Sequence, residues 1–300
     1  MTVASDSPFQ FVGNETWAQG YWRLADWQFS AQQTLSFLKA HLDLGVSIGD
    51  HADIYGDYRC EQLFGNALIL DPSVRHQFHV VTKCDIQLVS SSNSVSINHY
   101  DTSAKHIVSS VERSLERLQI EHIDTLLLHR PDLLMDVDEV IACFTRLRAE
   151  GKVGAFGVSN FSASQFELLN HRFDGQLVTN QVELNPLNFD AFENGITDRL
   201  QMAAVRPMAW SCLAGGSLFN AQTEQAQRVV GCLRELAIKY ETSLEGVAYA
   251  WVIRHPSKPL VINGSGKLNR LASAMEQSKI SLSREDWYRV WVASKGHGVP

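Results

Sequence analysis

The stretch DTLLLH at 124–129 places three consecutive leucines directly before a histidine. A short apolar run that ends in a polar residue is typical of a strand buried on both faces of a parallel sheet. Pro131 follows where a helix cannot yet have begun. The apolar residues that come next recur at helical spacing: Val137, Val140, Ile141, Phe144 and Leu147. This segment therefore predicts a buried strand followed by a helix that covers it.

The same pattern recurs in both directions along the chain. Six further apolar runs are bounded by a polar residue: LGVSIGD (44–50), FHVVTK (78–83), GAFGVSN (154–160), LVTNQ (177–181), RPMAW (206–210) and PLVINGS (259–265). An opening strand at Tyr21–Arg23 brings the number of predicted strands to eight. Helical spacing returns between them, for example from Ile107 to Leu118, and Ser162 is a credible helix N-cap.

Regular alternation of strand and helix fits either a closed barrel or a doubly wound sheet, and periodicity does not separate the two. A dinucleotide-binding doubly wound domain would carry G-x-G-x-x-G after an early strand, and the chain has no such string. An α/β barrel of this kind is one domain of about 250 residues. We therefore predict a single-domain (β/α)8 TIM barrel over residues 1–300. The Ser- and Asn-rich segment 89–100 and the segment 210–227 are predicted loops.

Composition limits the classes of partner. Apolar residues make up 45% of the chain and charged residues 20%, as in globular proteins. The net charge is -7, and the sequence has no long run of basic residues that would bind a phosphate backbone. We therefore expect no nucleic-acid partner. The N-terminus lacks the pattern of a secretory signal, and no apolar run approaches the ~20 residues of a membrane span. We expect a cytoplasmic protein with no membrane contact.

Cysteines and histidines give no metal-binding pattern. The five cysteines have no C-x-x-C spacing, and the 11 histidines contain no H-E-x-x-H. A disulfide framework and a metal centre are both unexpected. We predict ordinary structural thiols and no bound metal.

Polar residues stand at the carboxyl ends of successive predicted strands. Asp50, Lys83 and His129 end three of them, and Tyr55 lies in the loop directly after Asp50. In a barrel all these ends meet at the catalytic face, so the four side chains should converge there. Alone, each residue is most simply a helix cap or a core residue. Their joint appearance favours an active site.

This set of residues suits the reduction of a carbonyl group, in which the developing alkoxide oxygen must receive a proton. Tyr55 can donate that proton, and a neighbouring Lys83 ammonium would lower the pKa of the phenol by stabilising the phenolate. Asp50 would compensate the charge of Lys83. His129 would orient the carbonyl oxygen.

The chain resembles the aldo-keto reductases in six motifs that occur in the family's order. They are DHADIYG (50–56), VVTKC (80–84), LLLHRPD (126–132), GKVGAFGVSNF (151–161), NQVELNPL (180–187) and MAWSCLAGG (208–216). A bacterial oxidoreductase branch of the family is the most similar. The resemblance covers the whole barrel and implies the same catalytic tetrad of Asp50, Tyr55, Lys83 and His129. It also implies a monomer that binds a small-molecule carbonyl substrate.

The resemblance implies NADPH/NADP+ as cofactor and assigns residues to it. Ser159, Asn160 and Gln181 would bind the nicotinamide carboxamide, and Trp210 would stack on the nicotinamide ring. The loop 211–216 would wrap the pyrophosphate. Basic and small residues in INGSGKLNR (262–270) would bind the 2′-phosphate. The further assigned cofactor residues are Tyr21, Ser211, Leu213, Ser265, Gly266, Lys267 and Arg270.

Some positions depart from the family pattern, and two other functions stay open. His51 stands where the family commonly has Thr or Ser, and Asn263 stands where it commonly has Pro. Ser273 and Ala274 stand where many relatives carry a Glu-Asn pair that contacts adenine.

Trp22 is a candidate wall of the substrate pocket. The alternatives are a cofactor-binding regulator without turnover, and a hydrolase or isomerase that uses Asp50 and His129. Aldehydes, ketones, quinones and sugars are all admissible substrates.

Overall fold

The computed structural model describes residues 15–91 and 93–300, and eight parallel strands close into a barrel within them. The barrel strands are β1 (Trp17–Gly20), β2 (Ile48–Asp50), β3 (His79–Cys84), β4 (Ile123–Leu128), β5 (Val153–Ser159), β6 (Leu177–Glu183), β7 (Met208–Trp210) and β8 (Leu260–Asn263). Each strand pairs with the next in sequence. The barrel closes where β8 pairs with β1, with Val261 opposite Trp17. The predicted single-domain TIM barrel is confirmed.

The predicted position of the opening strand was wrong. The strand covers Trp17–Gly20, and the predicted segment Tyr21–Arg23 lies just past it, where the chain turns into the first helix. The sequence WAQG mixes apolar and polar residues, so it lacks the continuous apolar run that marked the other strands. Gly20 is required by crowding, because a Cβ there would lie 2.9 Å from Cγ2 of Ile262 on β8.

Thirteen α-helices connect and surround the strands of the described chain. They are α1 (Leu24–Trp27), α2 (Ala31–Asp43), α3 (Tyr55–Tyr58), α4 (Cys60–Leu68), α5 (Ala104–Leu118), α6 (Val137–Ala149), α7 (Ala163–Arg172), α8 (Asp190–Glu193), α9 (Ile196–Met202), α10 (Glu224–Lys239), α11 (Leu244–Ile253), α12 (Leu268–Gln277) and α13 (Arg284–Lys295). Ser162 caps α7, as predicted, with its Oγ accepting from Gln165 N at 3.3 Å. No helix in the described ranges is long and apolar enough to cross a membrane.

The buried core has two layers that separate the barrel interior from its helical coat. A small cluster fills the interior with one residue from each of six strands: Ala18, Ile48, Val81, Leu127, Met208 and Leu260. A much larger cluster lies between the strands and the helices. Because these side chains fill the interior, a ligand cannot bind inside the ring of strands.

The two predicted loops contain short ordered elements. After β3, Ile86–Gln87 pairs antiparallel with His99–Tyr100, which makes a small hairpin across the predicted loop 89–100. In the predicted loop 210–227, a 3-10 turn covers Ala214–Gly216, and α10 begins at Glu224. Both loops leave the carboxyl ends of barrel strands and therefore border the mouth.

We expect Gly65→Ala to destabilise the fold by about 1–3 kcal/mol, because it overpacks the contact of α4 with α5. A Cβ at Gly65 would clash with the carbonyl oxygen of Arg117 and lie 2.7 Å from the carbonyl carbon of Leu118. The matched control is Gly231→Ala in α10, where nothing lies within 4 Å. That change should stabilise by roughly 0.5–1 kcal/mol. Urea unfolding measures both, and equal effects would contradict the packing explanation.

Candidate active site

The carboxyl ends of the barrel strands open on one cavity of about 960 Å³. That volume lies at the upper end of the range of about 300–1,000 Å³ found for small-molecule sites. Asp50, Tyr55 and His129 line it, as does Trp22. The predicted cofactor residues that line it are Ser159, Asn160, Gln181, Trp210, Ser211, Leu213, Ser265, Gly266, Lys267 and Arg270. The strand ends thus bring together residues that are up to 248 positions apart (from Trp22 to Arg270).

Lys83 lies at the centre of a hydrogen-bonded group beneath this cavity. Its Nζ donates to both carboxylate oxygens of Asp50, at 2.8 and 2.9 Å, and to the hydroxyl of Tyr55 at 3.1 Å. A third acceptor is the backbone oxygen of His51, at 2.7 Å. Gln181 Nε2 donates to Asp50 Oδ1 at 2.7 Å. With Lys83 fully buried and Asp50 3% exposed, the pair is held in one geometry.

Burial and the neighbouring charges act in opposite directions on these groups. Burial alone would lower the pKa of Lys83, but the Asp50 carboxylate and the Tyr55 hydroxyl outweigh it and raise that pKa, so the ammonium is charged. Burial raises the pKa of Tyr55, and the Lys83 ammonium opposes that rise. The lowering that we expected from Lys83 is present but smaller than the effect of burial. At neutral pH Tyr55 is therefore a protonated phenol.

A tight turn after Asp50 sets the direction of Tyr55. Gly56, Asp57 and Tyr58 all have left-handed φ, at 61°, 56° and 64°. Gly56 also lies against α4, since a Cβ there would be 2.6 Å from Cys60 Sγ. The turn reverses the chain immediately after Tyr55, which allows its hydroxyl to reach Lys83.

His129 faces Tyr55 across the cavity floor. The two rings meet edge to face, with centroids 5.8 Å apart, and His129 is 8% exposed. Burial, together with the charges of Lys83 and Arg130, holds the pKa of His129 well below its usual range. Its Nδ1 has no hydrogen-bond partner among the described residues. A neutral imidazole at neutral pH keeps one N–H to donate and one nitrogen to accept.

A chain of hydrogen bonds holds the amide and hydroxyl residues on the other side of the mouth. Ser159 Oγ donates to the backbone oxygen of Gln181 at 3.0 Å and accepts from Asn160 Nδ2 at 2.8 Å. Trp210 Nε1 donates to Asn160 Oδ1 at 3.2 Å. Asn160 has left-handed φ, at 61°. The polar groups of these four residues are therefore positioned before any ligand arrives.

The loops after β7 and β8 form the remaining wall. Ser211, Ala214, Gly215 and Gly216 all have left-handed φ, a backbone pattern that favours concave, anion-binding N–H groups. Gly266 contacts the face of Trp27, since a Cβ there would lie 2.6 Å from its ring. Ser265 Oγ accepts from the backbone N–H of Lys267 at 3.1 Å.

Asn263, one of the departures from the family pattern, links β8 to β1. Its Nδ2 donates to Gln19 Oε1 at 2.7 Å, and Gln19 Nε2 in turn donates to the backbone oxygen of Ser265 at 3.2 Å. The two residues are opposite each other in the strand register. This bridge fixes the start of the segment that carries Lys267 and Arg270.

Tyr21, which we expected at the cofactor, lies outside the lining of the cavity. It is fully buried, its ring stacks on His51 with centroids 4.7 Å apart, and its hydroxyl has no partner among the described residues. In contrast, sequence reasoning passed over several lining residues: Arg23, Trp27, Phe29, Arg130, Phe219 and Tyr249. Only Arg130 carried a signal, because it follows His129 directly at a strand end.

No group of three or more His, Cys, Asp or Glu side chains suited to a metal ion occurs within the described ranges. All five cysteines are free thiols. Cys84 and Cys212 are buried, and burial raises the pKa of both thiols, which leaves them protonated.

The barrel with this mouth belongs to the class of α/β-barrel enzymes whose ligand site lies at the carboxyl ends of the strands. A model of the aldo/keto reductase family matches residues 16–293. The chain is 48% identical to oxidoreductase YdhF of Escherichia coli, with 100% of this chain and 99% of that protein covered. It is 37% identical to a 6-dehydroglucose reductase of Agrobacterium fabrum, with 93% and 94% covered. The chain therefore belongs to the aldo-keto reductase family, whose members are oxidoreductases of carbonyl compounds.

A solved structure supports the fold independently. Glycerol dehydrogenase from Gluconobacter oxydans matches with a TM-score of 0.83 at 24% identity, covering 97% of this chain and 94% of that one. At this identity the likeness is evidence for the barrel alone. The similarity to YdhF confirms the predicted relationship to a bacterial branch of oxidoreductases.

Proposed function

We propose that the protein reduces an aldehyde or ketone to an alcohol with NADPH as cofactor. One observation supports this most strongly: the buried Lys83 ammonium bonds both Asp50 and the hydroxyl of Tyr55, and that tyrosine lines the cavity beside His129. A phenol, an ammonium and a neutral imidazole at one point suit the protonation of a developing alkoxide.

The cavity is compatible with a nicotinamide dinucleotide in size and in the distribution of its polar groups. Uncharged amide and hydroxyl groups lie beside the tetrad, and the cations Lys267 and Arg270 lie at the loop after β8. A dinucleotide needs both, since its carboxamide is neutral and its phosphates are anionic. Gly215 and Gly216 leave open space for a phosphate group, because nothing lies within 4 Å of a Cβ at either position.

When bound, NADPH would supply a hydride to the carbonyl carbon and would become NADP+. The carbonyl oxygen of the substrate must then gain a proton. Tyr55 donates that proton from its hydroxyl. Lys83, 3.1 Å away, stabilises the phenolate that remains, and Asp50 keeps Lys83 charged and fixed. His129 orients the carbonyl oxygen of the substrate by donating the one N–H of its neutral imidazole. Solvent returns the proton to Tyr55.

Ser159, Asn160 and Gln181 would hold the carboxamide, and the Trp210 ring would support the nicotinamide and so orient it toward the substrate. Ser211 and Leu213 belong to the loop that holds the pyrophosphate through backbone N–H groups. At the far end Ser265, Gly266, Lys267 and Arg270 hold the 2′-phosphate. Trp22, which is 48% exposed, forms a wall of the substrate pocket. The physiological partner is a small carbonyl compound, and we propose that the protein acts in the cytoplasm as a monomer.

The first test is a titration with NADPH and with NADH, in which quenching of tryptophan fluorescence reports binding. The second test measures turnover of an aromatic aldehyde and of a sugar-derived aldehyde. Trp22, Trp27 and Trp210 all line the cavity, so ligand binding should quench the signal. We expect NADPH to bind and to be oxidised. Binding without turnover would point to a regulator, and no binding of either nucleotide would favour a hydrolase or isomerase.

We expect Lys267→Gln and Arg270→Gln each to weaken NADPH binding by about 10- to 100-fold, since each removes a charged hydrogen bond to the 2′-phosphate. Binding of NADH, which lacks that phosphate, should change far less. The measurement is the ratio of the two dissociation constants. Lys279→Gln is the control, because Lys279 is exposed just beyond α12 and pairs with Glu276. An equal loss for both nucleotides would contradict the assignment.

A further inference from the structure

Arg130 is a half-buried cation at the catalytic end of the cavity that the proposed chemistry does not use. It directly follows β4 and His129. Within the described part of the chain no carboxylate pairs with its guanidinium, whose contact is with the Trp210 ring, 6.0 Å from the centroid. A half-buried cation without a counterion gains charge-assisted hydrogen bonds when an anionic ligand binds to it.

A buried acid, Asp85, holds the backbone of Arg130. Both carboxylate oxygens of Asp85 accept the backbone N–H of Arg130, at 3.2 and 3.3 Å. Asp85 is fully buried and has φ of 91°, an unfavourable value for a residue other than glycine. Its backbone oxygen accepts from Asp101 N at 2.8 Å, so the turn is held from both sides.

The topology separates Arg130 from the cations proposed to bind the cofactor phosphates. In the ring of eight strands β4 lies opposite β8, and Lys267 and Arg270 follow β8. Arg23 follows β1, which lies between β8 and β2, and its guanidinium lies over the Trp22 ring, 4.2 Å from the centroid. Arg130 is the lining cation that directly follows a residue of the tetrad, His129.

The charge balance at the catalytic end is positive. Asp50, the carboxylate there, is neutralised by Lys83, and His129 is uncharged at neutral pH. The positive charge of the Arg130 guanidinium contributes to lowering the pKa of both Tyr55 and His129. An anionic group of a substrate would thus find a cation close to the proton donor.

We propose that Arg130 recognises an anionic oxygen group of the substrate, so that the preferred substrates are carbonyl compounds that also carry a carboxylate or phosphate. This inference rests on the proposed reductase function. The planar guanidinium can bind such a group through two parallel hydrogen bonds. Trp22 and Phe219 line the same cavity and supply apolar surface for the carbon skeleton.

The first experiment compares kcat/KM for 4-carboxybenzaldehyde and its neutral methyl ester, methyl 4-formylbenzoate, in wild type and Arg130→Gln. We expect wild type to prefer the carboxylate and Arg130→Gln to reduce that preference by about 10- to 100-fold. A parallel pair, glyceraldehyde 3-phosphate and glyceraldehyde, distinguishes phosphate from carboxylate as the recognised group. Arg146→Gln is the matched control, because Arg146 is exposed, pairs with Glu150 and does not line the cavity; its preference ratio should stay that of wild type.

The second measurement is independent of turnover. Benzoate and benzamide are titrated into wild type and Arg130→Gln, with tryptophan fluorescence as the signal, and NADPH binding is measured alongside. Arg130-dependent binding of benzoate without any turnover would retain the anion site and reject the reductase function. Turnover with an unchanged preference in Arg130→Gln would overturn the anion site alone. A loss of NADPH binding in Arg130→Gln would also overturn it, in favour of a cofactor contact.

Discussion

Tyr55→Phe is expected to lower kcat for carbonyl reduction by about 10²- to 10⁴-fold, the range found for loss of a general acid. The change removes one oxygen, which accepts from Lys83 Nζ at 3.1 Å, and leaves the ring against His129. Lys83 keeps Asp50 and the backbone of His51 as acceptors, so the buried pair persists. Steady-state kinetics with an aromatic aldehyde measures the loss, and NADPH titration should show binding close to that of wild type.

The control is Tyr58→Phe, three residues further along the same turn. The Tyr58 hydroxyl accepts from the backbone N–H of Leu88 at 3.1 Å, and its side chain does not line the cavity. Removal of this hydroxyl should leave kcat within a few-fold of wild type. If the two variants lost activity equally, the effect of Tyr55→Phe would come from disturbance of the turn, and Tyr55 would not be the proton donor.

Lys83→Met is expected to abolish measurable reduction and also to destabilise the fold by about 3–5 kcal/mol. Lys83 is fully buried, and its removal leaves the Asp50 carboxylate, 3% exposed, without its counterion. Gln181 Nε2 still donates to Asp50 but carries no charge. Urea unfolding, followed by far-UV circular dichroism, measures the change in the free energy of unfolding.

Two further variants distinguish the loss of the Asp50 counterion from the simple loss of packing as the cause of the instability. The double variant Asp50→Asn with Lys83→Met has no charge at either position of the pair, so it should recover a substantial part of the lost stability while staying inactive. Lys279→Met breaks an exposed ion pair with Glu276, and its unfolding midpoint should stay close to that of wild type. A double variant as unstable as Lys83→Met alone would contradict the electrostatic explanation.

The barrel was predictable because buried parallel strands leave a strong mark in a sequence. Seven of the eight strands lie in apolar runs bounded by a polar residue, and the structure has all seven. The eighth, Trp17–Gly20, escaped because it is short and contains Gln19, whose side chain bonds Asn263 and the Ser265 backbone across the closure of the barrel. That compensation involves residues more than 240 positions away, and no local pattern reveals it.

The candidate site was predictable to the extent that topology alone brings strand ends together. Asp50, Lys83 and His129 follow from that rule, and Tyr55 follows from its place in the loop after Asp50. Tyr21 shows the limit of the rule, because a residue just past a strand end can face the mouth or the core. Packing on His51 and Phe64 directs it to the core.

By itself the sequence determined the order of strands and helices, the barrel, the family and the residue types at the mouth, because these depend on local periodicity and on the ends of strands. Only the tertiary structure decided the charge state and direction of the groups there. Burial, which no single residue encodes, raises the pKa of Tyr55 against the pull of Lys83 and keeps His129 neutral. It is likewise the fold that engages Asp85 with the backbone N–H of Arg130 and places Arg130 in the lining of the cavity.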